Sequence, residues 1–495
     1  VISSLQQLPL DNRLLTLGEA YYSRVAPTPL REPRLLHANA ELAAQLGLDP
    51  ALLHTPEFLE IFAGNQALPG GEPIATLYAG HQFGNFVPQL GDGRAILLGQ
   101  LRDAAGQLWD LQLKGAGPTP YSRFADGRAV IRSSVREYLA GEALHHLGIP
   151  STRSLSLISA RDPVRRESIE HAAVICRVAP THLRFGHFEV FYYRRQHEQL
   201  APLADYIIAQ HYPELWERDA RHRDWLREVI GRTAALIAQW QGVGFCHGVM
   251  NTDNMSILGL TLDYGPYGFI DAFDAHHICN HSDDHGRYAF SRQPEIGYWN
   301  CSRLLQATLP LLDAQPERAV EIAQELLQHY AAVYEQRMNA IWRAKLGLAE
   351  AREQDAELID GFLLMLHAGR ADFTRSFRLL AGVRCAGEGE AGPLREEMRD
   401  LARFDAWLAG YQARLRSEDS DDAARALRMN AVNPCYVLRN HLAQRAIEAA
   451  ERGESGEIER LLELLRKPCE ERPGFEAYAA EPPPEAQQIS VSCSS

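Results

Sequence analysis

The sequence predicts an α+β fold in two lobes, a sheet-containing N-lobe followed by an enlarged helical C-lobe. Three observations carry this. At 495 residues the chain exceeds what one hydrophobic core usually supports. Short runs of β-type composition are confined to the first part, up to about Arg177. From about His187 onward, apolar residues recur at helical spacing over long stretches.

Taken in order, Ala95–Leu98, Trp109–Leu113, Ser154–Ile158 and Ala172–Val178 read as strands, and Asp126–Leu147 as a helix between them. The later helices are Trp225–Trp240, Ala319–Leu346, Leu394–Ser417 and Glu457–Arg466, with no internal repeat. From Glu481 through Pro482, Pro483 and Pro484 to Ser495 the chain is polar and proline-rich, which predicts an extended tail with little core of its own.

Composition narrows the function classes. With 46% hydrophobic and 23% charged residues, and no apolar run near the ~18 residues that a membrane span needs, a soluble protein without a membrane role is expected. A net charge of -14 argues against nucleic acid or anionic lipid as a non-specific partner. The eight cysteines are scattered without a CxxC pair, so neither a zinc ribbon nor a secreted disulfide framework is indicated. A reducing cytoplasm fits, as does the lack of a charged-then-apolar leader pattern in the opening residues.

Chemistry-bearing segments begin at Leu90-Gly91-Asp92-Gly93-Arg94, a glycine-rich turn that either brings backbone N–H groups to phosphates or is an ordinary Asp-Gly hairpin turn. Trp109–Lys114 alternates like a strand ending in lysine, and the next helix offers Glu137 as its ion-pair partner. A lysine at a strand end is otherwise simply solvated, so the two residues count together. Arg177 and Arg184 lie at the end of the last strand of the sheet and just after it, where guanidiniums reach phosphates or stay at the surface.

His247-Gly248-Val249-Met250-Asn251-Thr252-Asp253-Asn254 has the layout of a kinase catalytic loop, and Asp263-Tyr264-Gly265 that of its metal-binding Asp-aromatic-Gly. This layout makes the two-lobed prediction a protein-kinase-like fold. Val249 occupies the position of the catalytic aspartate and can neither accept a proton nor bind metal. Asn254 keeps the metal-ligand spacing, with a carboxylate beside it at Asp253. The oxygen set Asn254 and Asp263 suits Mg²⁺ or Mn²⁺, whereas zinc would want His or Cys. Asp271 and Asp274 compete with Asp263 on pattern alone. His247 reads as a structural imidazole bracing the loop. The cluster His276, His277, His281 and His285, with Asp283 and Asp284, follows no standard zinc spacing and reads as a polar activation-segment loop.

At these residues the chain resembles the selenoprotein O family (SelO, YdiU in bacteria). The stretches that carry the resemblance are Tyr78–Gly84 running to Arg94, Leu113–Gly117 running to Arg128, His247–Asn254 and Asn433–Asn440. The resemblance implies protein adenylylation: ATP lies flipped relative to kinases, AMP passes to hydroxyl side chains (Ser, Thr, Tyr) of proteins, and pyrophosphate leaves. It implies a bacterial cytoplasmic enzyme with Gly91, Gly93 and Arg94 lining the nucleotide and Lys114 with Glu137 organising it. Asp126, Gly127, Arg177 and Arg184 would complete the triphosphate pocket. Asp253 would be the base, and Asn254 and Asp263 the ligands of Mg²⁺ or Mn²⁺, with Asp263 also in the nucleotide pocket.

The resulting organisation is an N-lobe with an N-terminal extension at 1–180, a C-lobe with catalytic loop and activation segment at 181–480, and a tail at 481–495 carrying Cys493. Eukaryotic members of the family have selenocysteine where this chain has Cys493, and some have a partner cysteine where it has Ser490. A local tail dithiol is therefore impossible, and a regulatory disulfide would need a distant partner. Cys279, in an activation segment expected to be mobile and accessible, is the first choice. Two other functions compete with AMP transfer. A small-molecule phosphotransferase of the aminoglycoside-kinase type is disfavoured by Val249. A non-catalytic, nucleotide-gated redox or binding module is disfavoured by the joint presence of Lys114, Glu137, Asn254 and Asp263.

Overall fold

The computed structural model describes residues 1–387 and 391–492. Its first part contains β1 (Tyr22–Arg24), β2 (Arg34–Ala38), β3 (Ile74–Thr76), β4 (Gly80–Gln82), β5 (Asn85–Val87), β6 (Ala95–Arg102), β7 (Leu108–Lys114), β8 (Ala129–Val130), β9 (Arg153–Arg165) and β10 (Ile169–Ala179). One antiparallel sheet runs in the order β1-β3-β6-β7-β10-β9-β2, with β8 pairing β10, while β4 and β5 form a separate small hairpin.

Because neighbouring residues of a strand point to opposite faces, the sheet has two apolar sides. Ile96, Leu111, Leu113, Val174 and Cys176 pack against Leu42, Phe58 and Phe62 of α1 (Ala40–Gln45) and α2 (Pro56–Phe62). Leu97, Leu157 and Ile175 turn the other way, onto Val135, Tyr138 and Leu139 of α3 (Ile131–His146). Lys114 lies opposite Ile175, and Arg177 opposite Gln112. Both cations therefore face α3.

The second part is helical: α4 (Gly186–Tyr193), α5 (Leu200–His211), α6 (Arg221–Val243), α7 (Gln293–Leu312), α8 (Pro316–Leu346), α9 (Asp355–Gly369), α10 (Phe373–Leu380), α11 (Ala391–Glu396), α12 (Leu401–Arg416), α13 (Asp422–Val432), α14 (Asn440–Glu451), α15 (Gly456–Leu465) and α16 (Glu476–Ala479). Between α6 and α7 a two-residue ladder, β11 (Phe245–Cys246) with β12 (Gly268–Phe269), pins the two ends of the loop that holds His247–Pro266. The architecture is the expected α+β one, antiparallel sheet first and large helical part second. α14 and α15 return to pack along α3, and one apolar core runs from the sheet face through α3 into α6, α7, α14 and α15.

Two helices differ from the sequence reading. The helix expected over Asp126–Leu147 begins only at Ile131, because Gly127 has φ +68° and a Cβ there would lie 2.1 Å from the Gly117 carbonyl oxygen. The helix expected over Leu394–Ser417 is broken between Glu396 and Leu401, where the Asp400 carboxylate caps α12 by accepting from Arg403 N–H at 3.0 Å. In the tail, Val491 is buried and its carbonyl accepts from His281 N–H at 2.8 Å. Cys493 lies outside the described residues. Among them, no helix is long and apolar enough to cross a membrane.

Candidate active site

A cavity of about 840 Å³ opens where the sheet meets the loop after α6. From the sheet side it is lined by Gly91, Gly93, Arg94, Lys114, Arg177 and the turn Asp126-Gly127. Arg184, Val249, Asp253, Asn254 and Asp263 line the facing side. Of the residues that the resemblance assigns to nucleotide, metal or base, only Glu137 is not in the lining; it stands behind Lys114 on α3.

The loop Leu90–Arg94 joins β5 to β6, which do not pair, so it is no hairpin turn. It is tied back instead. The Asp92 carboxylate accepts from Thr76 N–H at 2.8 Å and from the Thr76 hydroxyl at 2.7 Å, and Thr119 Oγ1 donates to Asp92 O at 2.7 Å. Gly91 has φ +132°, and a Cβ there would meet the Tyr121 ring at 2.6 Å, so the backbone approach is open only to glycine. At the rim, Asp126 accepts from Arg128 N–H at 2.9 Å and pairs with Arg166 at 2.9 Å.

Behind the loop lies a buried charge cluster. Lys114 ion-pairs with Glu137. Arg177 bridges the two acids of the site, with Nη2 at 3.2 Å from Glu137 Oε2 and 2.8 Å from Asp263 Oδ1. Arg184 ion-pairs with Asp263 Oδ2. Burial pushes the Lys114 ammonium down to about 8, a loss the Glu137 charge limits. Burial pushes Glu137 up, but Arg177 and Lys114 outweigh it and hold its carboxyl below the ordinary value. Three cations face two carboxylates, so the pocket is poised for an anion although the chain as a whole is acidic.

Asp253 sits differently. Burial pushes its carboxyl up to about 7, restrained by Gln82 and Arg184. Gln82 Nε2 donates to Oδ2 at 3.2 Å, whereas Oδ1 is buried without a hydrogen-bond partner among the described residues. The β4–β5 hairpin lies on this carboxylate: a Cβ at Gly80 would be 2.5 Å from Asp253 Oδ1. The hairpin is anchored by His81 N–H donating to Thr252 Oγ1 at 2.7 Å, and by Glu189, which accepts from the Thr252 hydroxyl at 2.6 Å and pairs with His81 Nδ1 at 2.7 Å. Periodicity and charge assign Gly80, Gln82 and Glu189 no role. The only signal for Gly80 and Gln82 is that Tyr78–Gly84 carries the family resemblance, and Glu189 has none.

His247 braces the loop. It is buried, lies against Trp240, and donates from Nε2 to Leu262 O at 2.9 Å, just ahead of Asp263. Asn254 Nδ2 donates to Val249 O at 3.0 Å, which leaves Oδ1 as its ligand atom. Asp271 and Asp274 are outside the cavity lining: Asp271 pairs with Arg439 at 2.6 Å and Asp274 with Arg370 at 3.0 Å. The cavity lining contains oxygen donors from Asn254, Asp253 and Asp263 and no His or Cys, a set that fits a hard cation such as Mg²⁺ or Mn²⁺.

Within His276–His285, no grouping of metal-holding geometry occurs among the described residues. Asp283 instead accepts from the N–H groups of Arg287 at 3.0 Å and Tyr288 at 2.8 Å. The accessibility expected of Cys279 is not found. Its Sγ is buried and donates to Cys246 O at 3.4 Å, because the segment folds back onto β11. Cys176 and Cys246 are buried as well.

Comparison with known proteins shows the family. The profile of the family described as "Protein adenylyltransferase SelO" matches residues 4–466. A protein of Methylococcus capsulatus named "Protein nucleotidyltransferase YdiU" is 58% identical over 492 residues, which cover 99% of this chain and 97% of that one. One of the same name from Bordetella avium is 53% identical over 501 residues, covering 100% of both. With a kinase-like loop that lacks its aspartate, a buried charge cluster and matches along nearly its whole length, the chain belongs to the SelO protein adenylyltransferase family and is an enzyme of the protein nucleotidyltransferase class.

Proposed function

We propose that the enzyme moves AMP from ATP to Ser, Thr or Tyr hydroxyl groups of proteins, with ATP bound in the orientation opposite to that of kinases. The observation that carries this is the presence in one cavity lining of Val249, where a kinase has its aspartate, and of the Asp253 carboxylate four residues on. A base displaced along the loop suits a displaced reacting phosphorus.

In this reading Lys114, Arg177 and Arg184 bind the triphosphate, Glu137 holds Lys114 and Arg177 in place, and Gly91, Gly93, Arg94, Asp126 and Gly127 wall the nucleotide in. The acceptor oxygen attacks the α-phosphorus, the bond from that phosphorus to the bridging α–β oxygen breaks, and pyrophosphate departs. The Asp253 carboxylate takes the hydroxyl proton. Asn254 and Asp263 hold Mg²⁺ or Mn²⁺, which when bound offsets charge on the phosphate oxygens. Catalysis is then mostly positioning and electrostatic stabilisation, with general-base help worth about 10²–10⁴-fold.

Arg177 and Arg184 both ion-pair with Asp263. A bound triphosphate would give both guanidiniums phosphate acceptors, and Asp263 with Asn254 would hold the cation. Mass spectrometry of acceptor protein incubated with enzyme, ATP and Mn²⁺ tests the proposal: each modified hydroxyl gains one adenylate. Gain of a phosphate alone would contradict it.

A further inference from the structure

The stretch Asn433–Asn440 carries the family resemblance but lines no part of the cavity. Its last two residues nevertheless reach both halves of the nucleotide machinery. Arg439, 1% exposed, places Nη1 at 2.6 Å from Asp271 Oδ1 and 2.7 Å from Asp372 Oδ2, and Nη2 at 3.1 Å from Asp372 Oδ1. Asp372 also caps α10, accepting from Arg375 N–H at 2.8 Å. Arg439 therefore ties the segment that leaves the Asp263 loop to the frame of the C-lobe.

Asn440, the first residue of α14, accepts from Arg136 Nη1 at 3.3 Å. Arg136 is the residue before Glu137 on α3. Its guanidinium donates to the Tyr267 carbonyl and lies 4.3 Å from the Tyr267 ring centre, while Tyr267 OH donates to Arg136 O at 2.7 Å. Tyr267 is four residues past Asp263, and a Cβ on the next residue, Gly268, would lie 3.4 Å from the Asn440 amide. Two consecutive residues of the C-terminal region thus hold α3 through Arg136 and the Asp263 segment through Asp271 and Tyr267.

We propose that Arg136 and Asn440 are positioning residues which, with Arg439, form a bracket that fixes α3 against the Asp263 loop. The Lys114–Glu137 pair then stays assembled before any nucleotide arrives. This rests on the reading of Lys114, Glu137 and Asp263 as the groups that organise the nucleotide. All of Ser133–Leu144 is buried, because α14 and α15 cover the side of α3 that the sheet does not. Swinging α3 outward would uncover Tyr138 and Leu139 and strip a buried guanidinium of its acceptors, a cost that the bracket places on every departure from the assembled state.

Hydrogen exchange on the unaltered enzyme without nucleotide is the first test. The α3 amides are expected to exchange as slowly as those of β7 and β10, and to change little when ATP and Mn²⁺ are added. Fast exchange in α3 that becomes protected only on adding nucleotide would overturn the bracket. The second test is Asn440→Ala, which removes one partly buried acceptor. Its kcat is expected to fall about tenfold or more while KM for ATP stays within about twofold, and Asn440→Asp, which keeps an acceptor for Arg136, is expected to restore most of the rate. An unchanged kcat in Asn440→Ala, or an Asn440→Asp enzyme as slow as the alanine variant, would overturn it. If the unaltered enzyme transfers no nucleotidyl group, the proposed function fails, and the exchange experiment still decides the bracket.

Discussion

Arg184 ion-pairs with Asp263 and, through the same Nη1, donates to the main-chain carbonyl of Asp253 at 2.9 Å. One guanidinium therefore fixes the proposed metal ligand relative to the proposed base. Asp263 has φ +56°, a conformation uncommon for a residue with a side chain. Burial would push its carboxyl up, but Arg184, Arg177 and Lys114 hold it well below the usual carboxylate range, so it is ionised before any cation binds.

Asp263→Ala is expected to remove metal-dependent ATP binding and to lower transfer by about 10²–10³-fold or more, the scale for losing one preorganised electrostatic group. Calorimetric titration with ATP, with and without Mn²⁺, reads the binding. Asp271→Ala is the control. It leaves Arg439 short of a partner and should cost stability while keeping metal dependence. Metal dependence lost in Asp271→Ala but kept in Asp263→Ala would reverse the assignment.

Gly80→Ala tests the contact between the hairpin and the base. A Cβ at 2.5 Å from Asp253 Oδ1 must displace either the carboxylate or the hairpin. We expect a loss of about 1–3 kcal/mol in stability and a fall in kcat within the 10²–10⁴-fold that a general base supplies. Asp253→Ala should show the same rate loss with ATP affinity kept. Steady-state kinetics and thermal melts of the two variants separate these effects, and full activity in Gly80→Ala would show that the hairpin does not seat Asp253.

Glu137→Gln leaves Lys114 and Arg177 buried with half their counter-charge, and breaking a buried pair in this way costs about 3–5 kcal/mol. Urea unfolding should show the loss as a lower midpoint with an unchanged slope. A variant within experimental error of the parent would mean that the cluster is hydrated rather than buried.

The Glu142–Arg153 pair gives a pH-dependent prediction away from the cavity. Arg153 Nε and Nη2 lie 2.7 and 2.8 Å from the Glu142 oxygens. Burial raises the Glu142 carboxyl, but the hydrogen bonds and charge of Arg153, with His146 close by, prevail and bring it from 4.5 down to about 2. A depressed folded-state value stabilises the fold above the unfolded value, and that stability is lost as pH falls through the folded one. The shift corresponds to about 3 kcal/mol. The stability gap between parent and Glu142→Gln should therefore be large near neutrality and shrink as pH drops below about 4.5. A gap independent of pH would mean that the lost energy is packing rather than charge.

Much of the site was legible in the sequence because its signals are local. Alternation in Trp109–Lys114 put a lysine at a strand end, and the spacing from His247 to Asn254 and Asp263 marked the facing loop. What was not legible depends on residues distant in the chain. Pattern left Asp263, Asp271 and Asp274 equivalent, and they are separated only by partners such as Arg439, which is 168 residues from Asp271. The approach of Gly80 to Asp253 and the burial of Cys279 on Cys246 are tertiary contacts of the same kind. The break before Leu401 is different in origin: the Asp400 side chain caps the first backbone N–H groups of α12 and so starts a new helix inside a stretch that apolar spacing alone reads as continuous.

The most direct measurement supplies the enzyme and an acceptor protein with ATP labelled on either the α- or the γ-phosphate, in the presence of Mg²⁺ or Mn²⁺, and follows the label bound to protein. AMP transfer to hydroxyl groups, with Val249 in place of the kinase aspartate and Asp253 as base, predicts that the α-label is incorporated and the γ-label leaves with pyrophosphate. Protein labelled only from γ-labelled ATP would contradict it.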